Sequence, residues 1–324
     1  MTRWPSFTPW RWGIGDKLRA VRRAREVLAE HLSACRLCPW ECGVDRRAGK
    51  RGRCGLPAGP VVSGYEPHFG EEACLVGETG SGAVFFTGCN LFCVFCQTWE
   101  ISRERRGVEI SEEDLARIFL ELEAKGCVNL NLITPTPQIP VILGALERAL
   151  ERGFHLPVVY NTGGYERVEV LRELSGVVDI YLPDFKVWDP EVAERILGAR
   201  DYPEVARRAI KEMYRQVGNL VLDERGVAKK GLLVRHLVLP GDLANTRAIL
   251  RFLIREVSAE IYINLMGHYH PVGEASRYPP LDRPLTHKEW EKAIQEAKKM
   301  GIFKLDRTHW SLLPLILLDN SAEE

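Results

Sequence analysis

The sequence predicts an α/β protein: a partial (β/α)6 barrel of the TIM type, preceded by a cysteine-rich metal-binding lobe. Three observations carry this. From about residue 83 onward, short apolar runs alternate with segments of helical length and periodicity. Six such units can be counted, too few for an eight-stranded closed barrel. Ahead of them, residues 35–75 form a Gly- and Cys-rich stretch with little periodicity, which marks a separate lobe.

Taken in order, residues 16–34 place Leu18, Val21, Leu28 and Leu32 among charges, which suits an amphipathic helix. The strand candidates are 83–86, 128–132, 156–160, 178–182, 232–239 and 261–265. Helix candidates fall between them at 111–125, 139–152, 168–175, 203–217 and 244–257. Ser111 with Asp114 forms an N-cap pair and Gly126 a stop. Thr286 opens a last helix that runs through Met300 and stops at Gly301. Apolar strands joined by helical crossovers indicate a parallel sheet covered on both faces. Chemistry is then expected at the C-terminal ends of the strands. The chain divides into a basic amphipathic segment (1–34), a four-cysteine lobe (35–75), the barrel (76–310) and a C-terminal tail (311–324).

Composition narrows the function classes. With 45% hydrophobic and 27% charged residues, the 324-residue chain is neither disordered nor collagen-like. The N-terminus lacks the apolar core and small-residue cleavage site of a secretory signal. No run reaches the roughly 18 apolar residues of a membrane span, and the stretch 312–318 is interrupted by Pro314. A cytoplasmic, reducing location follows, where thiols stay free for metals. Lys+Arg 44 against Asp+Glu 44 argues against a globally basic nucleic-acid binder. Neutrality conceals an asymmetry: residues 1–60 carry 13 basic and five acidic side chains, a net +8, and the remainder carries −8. Such an end is either a solvated basic face or a docking surface for an acidic partner or nucleic acid. The odd count of nine cysteines in so long a chain points to metal or redox chemistry, not a disulfide framework.

The first strand runs into Cys89-Asn90-Leu91-Phe92-Cys93-Val94-Phe95-Cys96, a C-x3-C-x2-C motif in the first βα loop. Three thiolates there suit a soft metal: an Fe–S cluster or a zinc with an open position. A four-iron cluster on three cysteines leaves one iron open to chelate another molecule.

This spacing, its place after strand one and the aromatic residue before the last cysteine resemble the radical SAM superfamily. The resemblance implies a [4Fe-4S] cluster on Cys89, Cys93 and Cys96 whose open iron binds S-adenosylmethionine. Reduction then cleaves the C5′–S bond, and the 5′-deoxyadenosyl radical abstracts hydrogen. Cluster potentials reach roughly −700 mV, low enough for that reduction. Within the superfamily, GSGAVFFTGCNLFCVFCQTWEIS (80–102), VVYNTGGYE (158–166), VDIYLPDFK (178–186), VRHLVLPG (234–241) and INLMGHYHP (263–271) resemble pyruvate formate-lyase-activating-enzyme-like proteins. The partners this implies are a reducing electron donor and, as substrate, a glycyl radical enzyme. Radical modification of a small molecule or another macromolecule is the alternative. A zinc-dependent nucleic-acid-binding protein is disfavoured by the cysteine spacing in strand order.

The same resemblance marks the cofactor's surroundings. Strand two ends in Asn131-Leu132-Ile133-Thr134-Pro135-Thr136, where activating enzymes carry a Gly-Gly-Glu-type stretch, so Thr134 and Thr136 become the candidate oxygen acceptors. Strand three ends at Asn161 and strand four at Asp184-Phe185-Lys186. Lys186 suits a charge-assisted contact to the S-adenosylmethionine carboxylate. Asp184 suits a monovalent cation, though Asn161 replaces an acid there. Arg235 is the candidate contact to the ribose or carboxylate. His268 and His270 either line the substrate opening or pack.

Finally, Cys35, Cys38, Cys42 and Cys54 are spaced C-x2-C-x3-C-x11-C in a Gly-containing polar segment. Four thiols can close a tetrahedral site, so a second metal site is expected, either zinc or an auxiliary Fe–S cluster. Gly49, Gly52 and Gly55 allow the turns it needs. Cys74 and Cys127 are expected to be small buried residues.

Overall fold

The computed structural model describes residues 14–302 and 304–306. Residues 1–13 of the basic segment and the 311–324 tail lie outside the described residues.

The chain opens with helix α1 (Ile14–Leu28) and, after the cysteine lobe, strand β1 (Val61–His68) and the short helix α2 (Ala73–Val76). Strand β2 (Ser81–Phe86) leads through α3 (Trp99–Ser102) and β3 (Val108–Glu109) to α4 (Glu112–Ala124). Then follow β4 (Leu130–Ile133), α5 (Ile139–Glu151), β5 (Val158–Thr162), α6 (Val168–Glu173) and β6 (Ile180–Pro183). The last third holds α7 (Pro190–Leu197), α8 (Tyr202–Val217), β7 (Val221–Leu222), β8 (Ala228–Leu237), α9 (Thr246–Phe252), β9 (Tyr262–Met266) and α10 (His287–Lys299).

Strands β2, β4, β5, β6, β8 and β9 pair in parallel in that order, one for each predicted strand. The fold is therefore a partial (β/α)6 barrel. Capping sets the helix starts as the sequence indicates. The Ser111 hydroxyl accepts from Asp114 N, and Thr286 with Glu289 forms a full capping box.

Two antiparallel strands extend the barrel. β1 pairs with β2 and β7 with β8. β1 lies inside the 35–75 stretch, so the lobe ends before residue 61 and not at 75. Its alternation is broken by a register shift between Val62 and Gly64, and this hid it from periodicity.

The strands are buried on both faces. Leu132, Tyr160, Tyr181 and Leu232 join the main core under the helices. The alternate positions Val159, Ile180, Leu182 and Leu233 face inward and pack with Cys74 and Leu75 of α2. Helix α2 thus plugs the lumen. Asn129 at the start of β4 donates from Nδ2 to Leu75 O at 2.7 Å, which places the plug at the N-terminal end of the strands.

Part of the charge asymmetry is met inside the molecule. Arg22 reaches Glu147 at 2.8 Å and Arg25 reaches Glu147 at 2.7 Å, both joining α1 to α5. Lys17 pairs with Asp179. The basic helix lies on the acidic barrel it complements.

Candidate active site

The C-x3-C-x2-C loop leaves β2 through Gly88, whose φ of +77° is left-handed and whose added Cβ would stand 2.9 Å from Leu56. The loop is pinned on α7: Phe92 N donates to Leu197 O at 3.1 Å and Val94 N to Ile196 O at 2.9 Å. From the other side Glu274 N donates to Val94 O at 2.8 Å, and Tyr269 packs edge-on against Phe95. Cys93 is buried, and Cys89 and Cys96 are half-buried. Burial pushes the Cys89 and Cys93 thiols up to about 12, with neighbouring thiolates adding to the shift and Lys186 opposing it. A bound metal must displace those protons. All nine cysteines are free thiols. Among the described residues no three His, Cys, Asp or Glu converge on the volume of one metal ion. Three thiols on one pinned loop are the soft donor set that an Fe–S cluster takes.

The strand ends around this loop carry the predicted polar groups. Thr134 holds φ +61°, a strained conformation for a β-branched residue, and its N–H donates to Asn161 O at 2.8 Å. Asn161 lies half-buried on the inward face of β5. Lys186 Nζ donates to Asp184 Oδ2 at 2.6 Å with the two side chains only 19% and 23% exposed. This is a mostly buried pair. Burial lowers the Lys186 pKa, but Asp184 outweighs it and the ammonium is held well above its ordinary range.

Tyr202, at the start of α8, went unnoticed in the sequence. Its buried hydroxyl accepts from Lys186 N at 2.9 Å and lies 3.0 Å and 3.1 Å from the carbonyls of Gly163 and Asp184. Beside it an added Cβ on Gly164 would stand 2.3 Å from Asp184 O. The β5 and β6 loops are thereby held together.

Thr136 departs from its expected role. Its hydroxyl donates to Glu166 at 2.5 Å, and Thr162 and Tyr160 also donate to that carboxylate. Glu166 is buried with no cation beside it among the described residues, and burial pushes its carboxyl up to about 7, against the pull of the three hydroxyls.

Arg235 also differs from expectation. Its Nε donates to Glu72 at 2.7 Å and its Nη2 to Glu72 and Glu71, and Asn264 donates to Glu72 at 2.7 Å. Burial pushes the Glu72 carboxyl up, but Arg235 outweighs this and keeps it ionised. The guanidinium is engaged by the two acids ahead of α2, while the Arg235 backbone pairs with Asp184 at the end of β6. Neither acid was a sequence candidate, because they precede Arg235 by more than 160 residues.

His236 is buried between Phe185 O at 2.7 Å and Thr246 Oγ1 at 3.0 Å, and burial lowers its pKa to about 4, so it is a neutral packing residue. His270 is exposed and His268 half-buried beside it. Cys74 and Cys127 are buried, as expected.

The lobe cysteines surround a tight turn. Cys35 N donates to Val44 O at 3.0 Å and Gly43 N to Cys35 O at 2.9 Å. Gly49 and Gly55 have left-handed φ of +78° and +74°, while an added Cβ on Gly52 would stand 3.1 Å from Cys42 Sγ. Burial raises the Cys38 and Cys54 thiols, and each also senses Cys35. The lobe sits on the cluster loop through Trp40, whose Nε1 donates to Asn90 O at 2.6 Å. The Trp40 ring meets Phe92 and Tyr165 edge-on, and the Arg53 guanidinium lies 3.6 Å over it.

Residues 83–227 match the Radical SAM superfamily, and the chain carries a domain of that superfamily. That domain marks an enzyme class that works with a [4Fe-4S] cluster and S-adenosylmethionine. The chain is 31% identical over 287 residues to the uncharacterized protein MJ0674 of Methanocaldococcus jannaschii, covering 86% of this chain and 78% of that one. A solved structure of TYW1 with a lysine-pyruvate adduct bound aligns with 65% of this chain and 70% of that chain, at 12% identity and a TM-score of 0.41. Among the described residues no helix is long and apolar enough to cross a membrane.

Proposed function

We propose that the protein is a pyruvate formate-lyase-activating-enzyme-like radical SAM enzyme that generates a glycyl radical on a protein substrate. The observation that supports this most is the placement of Cys89, Cys93 and Cys96 on one pinned loop beside the buried Lys186–Asp184 pair. In this reading the three cysteines hold the cluster. Lys186 meets the carboxylate of S-adenosylmethionine, while Thr134 and Asn161 offer it oxygen acceptors. Asp184 keeps the Lys186 ammonium oriented, and Tyr202 keeps both loops in register. When bound, cluster and cofactor supply a 5′-deoxyadenosyl radical for hydrogen abstraction. The residues around them orient the reactants and exclude water. Reduction needs an external low-potential electron donor. Nine free thiols favour the reducing cytoplasm.

The lobe is read as a second metal site on Cys35, Cys38, Cys42 and Cys54, holding zinc or an auxiliary Fe–S cluster.

Anaerobic reconstitution with dithionite and S-adenosylmethionine is expected to yield 5′-deoxyadenosine, and Cys93→Ala to abolish it. Undiminished product in the variant would remove the cluster assignment. Mixing with a candidate glycyl radical enzyme should give a glycyl doublet by electron paramagnetic resonance. 5′-Deoxyadenosine without that doublet would leave the radical chemistry and remove the activase.

A further inference from the structure

The cluster loop is flanked by arginines that no acid neutralises. Arg53 of the lobe and Arg103, which follows α3, stand over the same Phe92 ring, their guanidinium carbons 4.9 Å and 4.5 Å from its centroid. Phe92 lies between Cys89 and Cys93. The residue before Arg103 is Ser102, whose hydroxyl is 3.1 Å from Cys96 Sγ. Arg105 Nε donates to Cys54 O at 3.0 Å, and Arg51 Nη1 to Gly55 O at 3.0 Å. Four guanidinium groups thus gather where residues 53–55 of the lobe meet the loop that carries the three thiols. Arg51, Arg53 and Arg105 are exposed and Arg103 is half-buried. None of the four forms an ion pair among the described residues, in contrast to Lys17, Arg22 and Arg25 of α1. Beside them Arg106 meets Glu100 at 3.2 Å and Glu104 at 2.8 Å. With this group included, five cations against two anions leave the face at +3.

The chemistry of the groups selects the partner. Guanidinium forks bind carboxylates and phosphates. Single-stranded nucleic acid binds through phosphates together with bases stacked on aromatic rings. Here Arg53 lies 3.6 Å over Trp40 and Arg103 lies 5.1 Å over Trp99, so these rings support guanidiniums and not bases. Carboxylates are the better match. The face is small, which suits a transient redox encounter steered by charge. Its place suits the same role. An electron reaches a cluster from a protein docked against its loop, whereas a substrate must touch the adenosyl radical itself.

We propose that Arg51, Arg53, Arg103 and Arg105 form the docking surface for a small electron-carrier protein with a carboxylate-rich face. One electron passes from the carrier's reduced centre to the oxidised cluster, and no bond is made or broken. This rests on the radical SAM reading and gives the electron it requires a point of entry.

The probe is an acidic plant-type ferredoxin, titrated by calorimetry into the anaerobic cluster-loaded enzyme. Binding is expected at low salt and is lost at high salt. Arg51→Glu/Arg105→Glu alters two exposed side chains whose hydrogen bonds go to backbone carbonyls. Each exchange removes two charges, so the face falls from +3 to −1. Ferredoxin binding at low salt should weaken about tenfold. 5′-Deoxyadenosine formation driven by reduced ferredoxin should fall likewise, and that driven by dithionite should not. Arg225→Glu/Lys229→Glu in the β7–β8 turn makes the same change of net charge elsewhere and should bind ferredoxin as the wild type does. No binding to the wild type, unchanged affinity in the face variant, or an equal loss in the turn variant would overturn the docking surface. So would a single-stranded RNA oligomer that binds more tightly than ferredoxin and is lost from the face variant. Dithionite needs no docking, so a wild type that it cannot drive removes the radical SAM reading. A wild type that turns over with dithionite but neither binds nor uses ferredoxin removes the docking surface alone.

Discussion

Glu166 is a carboxylic acid enclosed by three hydroxyls. Its folded pKa of about 7 lies above the ordinary value of 4.5, so the folded state binds its proton more tightly than the unfolded chain does. Stability from this group is full below the unfolded value and is lost as pH rises through about 7. Across that window the wild type should lose on the order of 3 kcal/mol, and Glu166→Gln should lose none of it. Denaturant unfolding at pH 5, 6, 7 and 8 measures the difference, and parallel curves for the two proteins would refute it. Tyr202 acts differently, through three backbone groups in two loops. Tyr202→Phe leaves Lys186 N buried without its acceptor, at a cost of about 1–3 kcal/mol. We expect the KM for S-adenosylmethionine to rise about tenfold, with wild-type iron content. A KM that does not move would make Tyr202 a plain core residue. At this scale the cysteines were legible because their ligand set lies within one short stretch. Tyr202, Glu71 and Glu72 were not, since each meets partners far away in sequence, and Glu166, though near Thr162 and Tyr160 in the chain, is enclosed only once Thr136 reaches it from the end of β4.

Among the elements, α2 is the least conspicuous and the most consequential. It is four residues long, yet Leu75 is fully buried among Val159, Ile180, Leu182 and Leu233. Its preceding residues Glu71 and Glu72 pair with Arg235. Leu75→Ala should cost about 2–5 kcal/mol, because the barrel wall cannot collapse into the gap. Chemical denaturation reads this, and a loss below about 1 kcal/mol would mean that the plug is loosely seated. The six parallel strands and most helices were visible from apolar runs and caps. α2, β3 and β7 were not, since two to four residues are too short to show any period. β1 is long enough, but its burial does not alternate.

For the whole molecule, the two cysteine sets meet at one interface, where Trp40 and Arg53 stack against Phe92. The lobe therefore buttresses the loop that carries the other three thiols. Elemental analysis of the reconstituted protein should show a second complement, either about one zinc or about four further irons. Cys38→Ser should remove that complement and leave the barrel cluster's share of about four irons. A variant that keeps the full metal content would sink the closed lobe site. Part of the N-terminal positive charge is met at this scale too, since Lys17, Arg22 and Arg25 pair with acids of the barrel.

Local order along the chain was enough to establish the barrel class, the strand sequence and the three-cysteine loop at a strand end. Each depends on spacing or periodicity within a few turns of backbone, which sequence displays directly. The lumen plug, the buried Arg235–Glu72 pair, the hydroxyl cage of Glu166 and the true end of the lobe came only with the packed chain. They depend on which side chains face each other across strands far apart in sequence, and burial then changes their charge chemistry.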